Sequence, residues 1–306
     1  MERNKMYGVV DIGSNTVRFN VYRNDKSKYK VVVGKKSFVG LSAYIRDGAI
    51  TEAGSERLHK IVARIGTSIR DLDLENFYLF ATAAVRNASN GRDIVKSIKK
   101  ETGLKIEILS GREEAYCDYV GAMDEKNQKI DDALLVDIGG GSTEIIRVKK
   151  GVFEDSVSLP EGSLSLYSTH VSTVIPRIEE YREMKSYIGD LIERSRFKAC
   201  GAREMYGIGG TIRATGEIAY DLFHKGNESV TGLRETENII RRLLLQDPET
   251  LKSQLKVAPE RVHTQVPGMI ILREVMKKYG MKEINILENG VREGYLIRKK
   301  KDKNHA

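Results

Sequence analysis

The sequence predicts an α/β protein built from two tandem domains of the same kind, and three observations favour this prediction. The chain has 306 residues, enough for two domains that each bury a core. A strand–turn–strand pattern occurs twice, around Asp11 and again around Asp137, about one domain length apart, which indicates a duplicated domain. Elsewhere, segments with the apolar period of helices alternate with short apolar strands, the order typical of α/β layers.

The first copy of the pattern, YGVVDIGSNTVRFNVYR, combines two strands with a tight turn. Its first apolar strand ends at Asp11, Gly13 and polar residues follow, and apolar residues resume at every second position from Val17. A period of two predicts strands, and a glycine at the bend predicts a tight turn.

The second copy, LLVDIGGGSTEII, places three consecutive glycines between Asp137 and Glu144. Such a turn presents backbone N–H groups that bind anions such as phosphate. Carboxylates beside a phosphate would repel it unless a hard cation lies between them, and Mg²⁺ prefers such oxygen ligands. The turn therefore predicts a phosphate and Mg²⁺ together. A flexible hairpin with a surface aspartate would explain a single copy equally well, and the repetition favours the functional interpretation.

A third glycine turn, YGIGGTIR, follows a strand and opens a helix. The N–H groups at a helix N-terminus favour anions. Gly209 and Gly210 are therefore further candidates for phosphate binding, with a purely structural turn as the alternative.

The remaining segments complete two α/β halves. Gly103 is expected to end the helix before it, and the basic tail 298–303 is interpreted as a solvated charge run. The polar stretch 123–132 places the domain boundary, so that the domains are 1–127 and 128–306. Helices are predicted at about 52–72, 91–101, 179–196, 238–245 and 267–278, with another from Gly111, and strands at about 30–33, 77–80, 105–109, 204–208 and 283–287.

The composition indicates a cytoplasmic protein that binds anions. Lysine and arginine (51) outnumber aspartate and glutamate (43), and the net charge of +8 favours anionic partners. Without tryptophan or basic stretches interleaved with aromatic residues, a nucleic-acid partner is not expected. No apolar run is long enough for a membrane span, and the N-terminus does not resemble a signal peptide. Only Cys117 and Cys200 are present, so a reducing compartment is expected.

Six motifs occur in the order DIGSNT, ATAAVRN, SGREEAY, DIGGGSTE, GIGGT and ENGVREG. Together they resemble the exopolyphosphatase / guanosine pentaphosphate phosphohydrolase family of the actin–hexokinase–Hsp70 superfamily, from about residue 7 to residue 297. The resemblance implies two tandem actin-like (ribonuclease H-like) domains flanking an interdomain cleft. It also implies Mg²⁺-dependent hydrolysis of terminal phosphoanhydride bonds in inorganic polyphosphate or guanosine pentaphosphate, and a homodimer, which is common in such proteins.

The resemblance assigns roles to individual residues. Glu114, the second glutamate of SGREEA, matches the proposed catalytic base, and Arg86 matches a phosphate-contacting arginine. Asp137 and Glu144 match metal-associated carboxylates, and Asp11 of the first copy is predicted to join them. The residues that match the phosphate loops are Ser14, Asn15, Gly139, Gly140, Gly141 and Ser142, to which the third turn adds Gly209 and Gly210.

The residues alone leave other interpretations open. At the helix start, Ser110 with Glu113 would form a capping box, and the helix dipole would keep Glu114 ionised. Only the resemblance favours catalysis by Glu114, and Arg86 is explained equally well as a surface arginine. Ser165 stands where many family members have an arginine, and the loss of one cationic contact weakens polyanion binding by about 1–3 kcal/mol.

The leading hypothesis is an exopolyphosphatase in which Glu114 orients or deprotonates the attacking water. Guanosine pentaphosphate remains an alternative substrate, because every motif is shared by the two activities. A non-catalytic sensor that binds an alarmone is an alternative from a different functional class. The absence of a family arginine at position 165 suggests this alternative. An ATP-dependent sugar or acetate kinase of the same superfamily is a third hypothesis.

Overall fold

The computed structural model describes residues 5–25, 28–199, 201–223 and 228–304, and its contacts divide the chain into two compact units. Unit 1 contains the residues up to Glu114 and those from Tyr295 onward, and unit 2 runs from Ala115 to Gly294. The boundary predicted from the sequence, between residues 127 and 128, rests on the polar composition of that stretch. The domain ranges 1–127 and 128–306 therefore stay a prediction. Cys117 is fully buried, and Cys200 lies outside the described residues.

Unit 1 is built on a five-stranded sheet. In chain order its elements are β1 (Met6–Ile12), β2 (Thr16–Asp25), β3 (Lys28–Phe38), β4 (Ile45–Arg46), β5 (Ala49–Ile50), α1 (Glu52–Arg70), β6 (Asn76–Ala81), α2 (Ala83–Asn87), α3 (Gly91–Thr102), β7 (Ile106–Ile108) and the start of α4 (Gly111–Glu125). The strand order is β3-β2-β1-β6-β7. The β1–β2 and β2–β3 pairs are antiparallel, whereas β1, β6 and β7 run parallel.

The core of unit 1 lies between this sheet and its helices. Leu58 and Val62, four residues apart on α1, are buried with Val10 of β1 and Val17 of β2, as the helical and strand periods require. Each fully buried aliphatic side chain of this kind contributes about 1.5–3 kcal/mol. Gly103 ends α3 with a φ of 73°, so the predicted helix end is confirmed.

Unit 2 is built on a six-stranded sheet. Its elements are β8 (Ala133–Ile138), β9 (Thr143–Lys149), β10 (Val152–Leu159), α5 (Ser163–His170), α6 (Ile178–Ser195), β11 (Glu204–Ile208), α7 (Gly210–Phe223), β12 (Val230–Gly232), α8 (Leu233–Leu244), α9 (Pro248–Val257), α10 (Gln265–Lys278), β13 (Glu283–Ile286) and the start of α11 (Val291–Asn304). The strand order is β10-β9-β8-β11-β13-β12, in which β8, β11 and β13 run parallel.

Helix α10 forms the centre of the helical layer in unit 2. Its residues Met269, Ile270, Ile271 and Leu272 are consecutive and all fully buried. A helix that is apolar on every side is enclosed by its neighbours, and α10 contacts α5, α6, α7 and α8. The predicted helix at 267–278 is confirmed with an earlier start.

The expectation of a solvated tail at 298–303 is wrong for residues 298–300. These residues continue α11, and Lys299 Nζ lies 2.6 Å from Glu107 Oε2. Lys300 Nζ donates a hydrogen bond to Tyr7 Oη (2.6 Å). Lys299 and Lys300 therefore have partners from distant parts of the sequence, whereas Lys301 and Asp302 are exposed as expected. Among the helices that the structure describes, none is long and apolar enough to cross a membrane.

Candidate active site

Three predicted site residues of unit 1 lie at the carboxyl ends of parallel strands. Asp11 is the second-last residue of β1, Arg86 lies in the short helix after β6, and Glu114 lies in the first turn of the helix after β7. In open α/β sheets, ligands bind at this end of the strands. The fold therefore places these side chains at the edge of the sheet where a binding site is expected.

Arg86 and Glu114 form an ion pair. Arg86 Nη1 lies 2.5 Å from Glu114 Oε2 and also donates to the Leu109 carbonyl (3.1 Å). Glu114 is only 6% exposed. A buried carboxylate stays ionised only with a charged or hydrogen-bonded partner, and Arg86 provides one. Arg86 is therefore not a solvated surface arginine, and Glu114 is suited to orienting or deprotonating a water.

Glu113, rather than Glu114, caps the start of α4. The Ser110 N–H and Oγ both donate to Glu113 Oε2 (2.9 and 2.8 Å), and the Glu113 N–H donates to Ser110 Oγ (3.2 Å). The pKa of Glu113 is lowered, mainly because of the bond from the Ser110 backbone, while burial acts in the opposite direction. The predicted capping box is confirmed, and it leaves Glu114 available for another role.

The turn after β1 is fixed by its own carbonyl groups. The Ser14 carbonyl accepts from the Ser42 N–H (3.1 Å), and the Asn15 carbonyl accepts from the Val39 N–H (2.9 Å). Ser14 is buried and Asn15 partly buried. These bonds attach the first glycine turn to the segment that follows β3, so its backbone is preorganised.

The second glycine turn brings Asp137 and Glu144 together. The two residues are opposite each other in the antiparallel register of β8 and β9. Glu144 is 1% exposed, and its carboxylate accepts from Ser158 Oγ (2.7 Å) and Ser142 Oγ (3.3 Å). The serine hydroxyls stabilise the buried charge, and they tie the strand β10 to the turn.

The start of α5 packs on the same glycine turn. The Ser163 and Leu164 N–H groups donate to the carbonyls of Gly139 and Gly140 (2.9 Å each). A Cβ atom on Gly162 would lie 2.5 Å from the backbone carbon of Gly140, so only glycine permits this approach. The helix therefore holds the triple-glycine backbone in one conformation.

Ser165 has a structural role at the start of α5. Its Oγ accepts from the Gly162 N–H (2.9 Å) and donates to Glu161 Oε2 (2.7 Å). The residue that replaces the expected arginine therefore caps a helix, and its short side chain carries no positive charge.

The third glycine turn lies beside Asp137. Gly209 has a φ of 97°, and a Cβ there would lie 2.5 Å from Asp137 Oδ1. The residue must therefore be glycine, both for its left-handed backbone and for the space that Asp137 occupies. The third glycine turn and the first turn of α7 both lie next to Asp137, because β8 and β11 are neighbouring parallel strands.

Arg261 places a positive charge beside the third glycine turn. Its guanidinium packs against Gly210, the first residue of α7. Burial lowers the pKa of Arg261, Arg213 adds to this lowering, and Glu260 and Asp137 oppose it. The arginine thus lies within electrostatic reach of Asp137, next to a helix N-terminus that favours anions.

The residues around Glu114 in unit 1 and those around Asp137 in unit 2 point to a protein family. The chain matches the model of the Ppx/GppA phosphatase family over residues 20–303. It belongs to the Ppx/GppA phosphatase family.

Curated relatives of this Ppx/GppA protein are longer than the chain. A guanosine-5'-triphosphate,3'-diphosphate pyrophosphatase of Aeromonas hydrophila is 24% identical over 97% of this chain and 60% of its own length. A bifunctional 3-dehydroquinate synthase/phosphatase of Fusobacterium nucleatum is 26% identical over 94% of this chain and 46% of its own length. The chain therefore spans about half the length of these relatives.

Solved structures share the fold of this Ppx/GppA protein. A family member of Aquifex aeolicus has a TM-score of 0.79 at 20% identity, with 99% of each chain covered. An exopolyphosphatase of Cytophaga hutchinsonii has a TM-score of 0.82 at 22% identity, with 96% of this chain and 97% of its own covered. The predicted actin-like α/β fold with two sheet-containing domains is confirmed.

The residues around Asp137 of this Ppx/GppA protein fit a divalent cation that takes only one or two ligands from the protein. Within the described ranges, no group of three or more His, Cys, Asp or Glu side chains is placed to hold a metal ion. Phosphate-handling Mg²⁺ commonly takes one or two carboxylates together with phosphate oxygens and water. Asp137, half-buried between two glycine turns, suits such a site. Glu144 accepts from two serine hydroxyls, which suits it to holding the loop.

Sequence reasoning did not identify Arg261, Ser158 or Gly162. Arg261 follows Pro259 in a short 3-10 turn, and this proline is a local turn signal that could have drawn attention to the arginine. Ser158 and Gly162 carry no comparable local signal, because their roles depend on the approach of β10 and α5 to the glycine turn.

Proposed function

We propose that this protein hydrolyses the terminal phosphoanhydride bonds of inorganic polyphosphate and releases orthophosphate. The observation that carries this proposal is the ion pair of Arg86 with the nearly buried Glu114, at the carboxyl ends of parallel strands. Membership of a phosphatase family supports it. The glycine turns of unit 2 add backbone groups of the kind that bind phosphate.

The reaction transfers a terminal phosphoryl group to water. The water oxygen forms a bond to the terminal phosphorus, the bridging P–O bond breaks, and the shortened chain leaves with the bridging oxygen. Glu114 orients the water and accepts its proton, which then passes to the released phosphate. Arg86 keeps Glu114 ionised and adds positive charge beside the phosphoryl oxygens.

Asp137 is the residue proposed to bind Mg²⁺ together with substrate oxygens, and bound Mg²⁺ neutralises phosphate charge. Asp137→Asn is expected to raise the Mg²⁺ concentration for half-maximal activity by roughly tenfold or more. Phosphate release measured across a Mg²⁺ titration checks this. Asp190→Asn, at an exposed carboxylate of α6, is the matched control. The same Mg²⁺ dependence in both variants would remove Asp137 from the metal site.

Arg261 is proposed to bind substrate phosphate next to Gly210. Arg261→Met is expected to raise KM for polyphosphate roughly tenfold or more, because a hydrogen bond to a charged group contributes about 1.5–3 kcal/mol. Steady-state kinetics of phosphate release measures this change. Arg194→Met removes an exposed arginine of α6 and should leave KM unchanged. An unaltered KM in Arg261→Met would show that this arginine only supports the fold.

The function itself is tested by incubating the chain with Mg²⁺ and either polyphosphate of defined lengths or guanosine pentaphosphate. Released orthophosphate is measured, and kcat/KM is compared between the substrates. A higher kcat/KM on polyphosphate supports the proposal. No release from either substrate by the folded protein would refute it.

Guanosine pentaphosphate is the second candidate substrate, and Ser165 favours it. Its hydroxyl is engaged with Gly162 and Glu161, so this position supplies no cation for a long polyanion. The Aeromonas hydrophila relative is also named for a guanosine substrate. A sensor without activity is less well supported, because binding alone does not require the ionised and nearly buried Glu114.

A further inference from the structure

The last helix contacts the two strands that lead to Arg86 and Glu114. From Tyr295 onward, α11 belongs to unit 1. Tyr295, Arg298 and Lys299 have the i, i+3 and i+4 spacing that places side chains on one helical face, and these three residues form the anchor face of α11. The anchor face has no part in the chemistry proposed above.

Tyr295 connects β6 with β7. Its ring packs against Phe80 of β6, with ring centroids 4.6 Å apart, and its hydroxyl donates to Glu107 Oε2 of β7 (2.8 Å). Lys299 Nζ lies 2.6 Å from the same oxygen. Tyr295 is 2% exposed, so water competes little for these bonds. Burial raises the pKa of Glu107, but the bonds from Lys299 and Tyr295 outweigh it and lower the pKa.

Arg298 reaches the start of α4. Its Nη2 lies 3.6 Å from Glu113 Oε1, while Glu113 Oε2 closes the capping box with Ser110. Glu107 and Glu113 therefore lie on either side of the turn from β7 into α4, and the anchor face contacts both. Glu114 directly follows Glu113, at the end of this turn, which the anchor face contacts on both sides.

We propose that Tyr295 and Arg298 are positioning residues, which hold Glu114 against Arg86 by fixing Glu107 and Glu113. This inference rests on the proposed function, in which Glu114 acts on the attacking water. A misplacement of about 1 Å at a catalytic group costs up to roughly 100-fold in rate, so a small relaxation of this turn lowers kcat. Neither residue touches the reacting atoms.

Tyr295→Phe tests the hydroxyl alone, since phenylalanine retains the ring that packs on Phe80. It is expected to lower kcat for phosphate release roughly tenfold and to leave KM within about twofold. The matched control is Tyr279→Phe, which removes a hydroxyl that donates to the Phe197 carbonyl in unit 2 (3.3 Å). The control should retain the kcat of the wild type.

Arg298→Ala and Arg298→Lys separate positioning from general stabilisation. The alanine variant is expected to lower kcat several-fold at unchanged KM, and the lysine variant should recover part of the loss, because a cation again faces Glu113. Thermal unfolding of each variant is measured in parallel. A loss of kcat that appears equally in Tyr279→Phe, or only together with partial unfolding, overturns the proposal.

Hydrogen exchange provides a readout that does not depend on turnover. Tyr295→Phe should increase amide exchange within residues 106–114 in the intact chain, whereas Tyr279→Phe should not. If the wild type releases no phosphate, the proposed function fails, and the exchange result alone decides whether the anchor face holds this turn. Unchanged exchange and unchanged kcat in Tyr295→Phe would overturn the inference.

Discussion

Replacement of Glu114 by glutamine is expected to lower kcat by roughly 10²- to 10⁴-fold, the usual contribution of a positioned general base. The amide retains an oxygen that can accept from Arg86, so the shape of the pair is preserved. It loses the negative charge and the basic oxygen that the proton transfer requires. Steady-state kinetics of phosphate release in the presence of Mg²⁺ measures the effect, with KM expected to change little.

Glutamine is preferable to alanine at this position because of the partner. The Arg86 side chain is only 15% exposed, and removing one member of a buried ion pair typically costs about 3–5 kcal/mol. An alanine variant would therefore mix a folding defect with a catalytic one. Glu114→Gln retains a hydrogen-bond acceptor for Arg86 and should lose less stability than the alanine variant, and thermal unfolding of both variants verifies that the kinetics are measured on folded protein.

Glu56→Gln is the matched control for this experiment. Glu56 is an exposed residue of α1 that pairs with Lys60, and exposed pairs of this kind contribute about 0–1 kcal/mol. The control should retain the activity of the wild type. If Glu114→Gln also retained it, Glu114 would be a structural partner of Arg86 and the base would have to be sought elsewhere.

The hairpins and most helices could be predicted because their signals are local. The period of two on both sides of each glycine turn corresponds to β1–β2 and β8–β9, and Gly103 ends α3 as its position indicated. The first part of the tail was misinterpreted, since the partners of Lys299 and Lys300, Glu107 and Tyr7, are distant in the sequence. A run of lysines has the same local composition whether it is solvated or docked.

The site could be predicted only as far as its motifs extend. Arg86 and Glu114 lie in separate motifs, and their contact follows from the parallel order of β6 and β7, which no local pattern specifies. Arg261 lies far along the chain from Asp137, and the approach of the two depends on how unit 2 packs around the start of α7. The metal roles of Asp11, Asp137 and Glu144 stay predictions.

Gly162→Ala is expected to disrupt the triple-glycine turn without any change of charge. The added Cβ would lie 2.5 Å from the carbon of Gly140 and 2.6 Å from the oxygen of Gly139, and these backbone atoms cannot rotate away as a side chain would. Overpacking of this kind costs about 1–3 kcal/mol. Displacing the turn by about 1 Å would also lower kcat/KM by up to roughly 100-fold.

Thermal unfolding and phosphate release, measured on the same preparation of Gly162→Ala, test both effects. The matched control is Gly189→Ala in α6, where nothing lies within 4 Å of an added Cβ. That substitution should stabilise the helix by about 0.5–1 kcal/mol, because alanine has less freedom to lose on folding. The φ of Gly162 is −132°, a value that alanine adopts readily, so any loss in Gly162→Ala comes from contact with the turn. If Gly162→Ala matched Gly189→Ala in stability and activity, the turn would not be held by α5, and its preorganisation for phosphate would need another source.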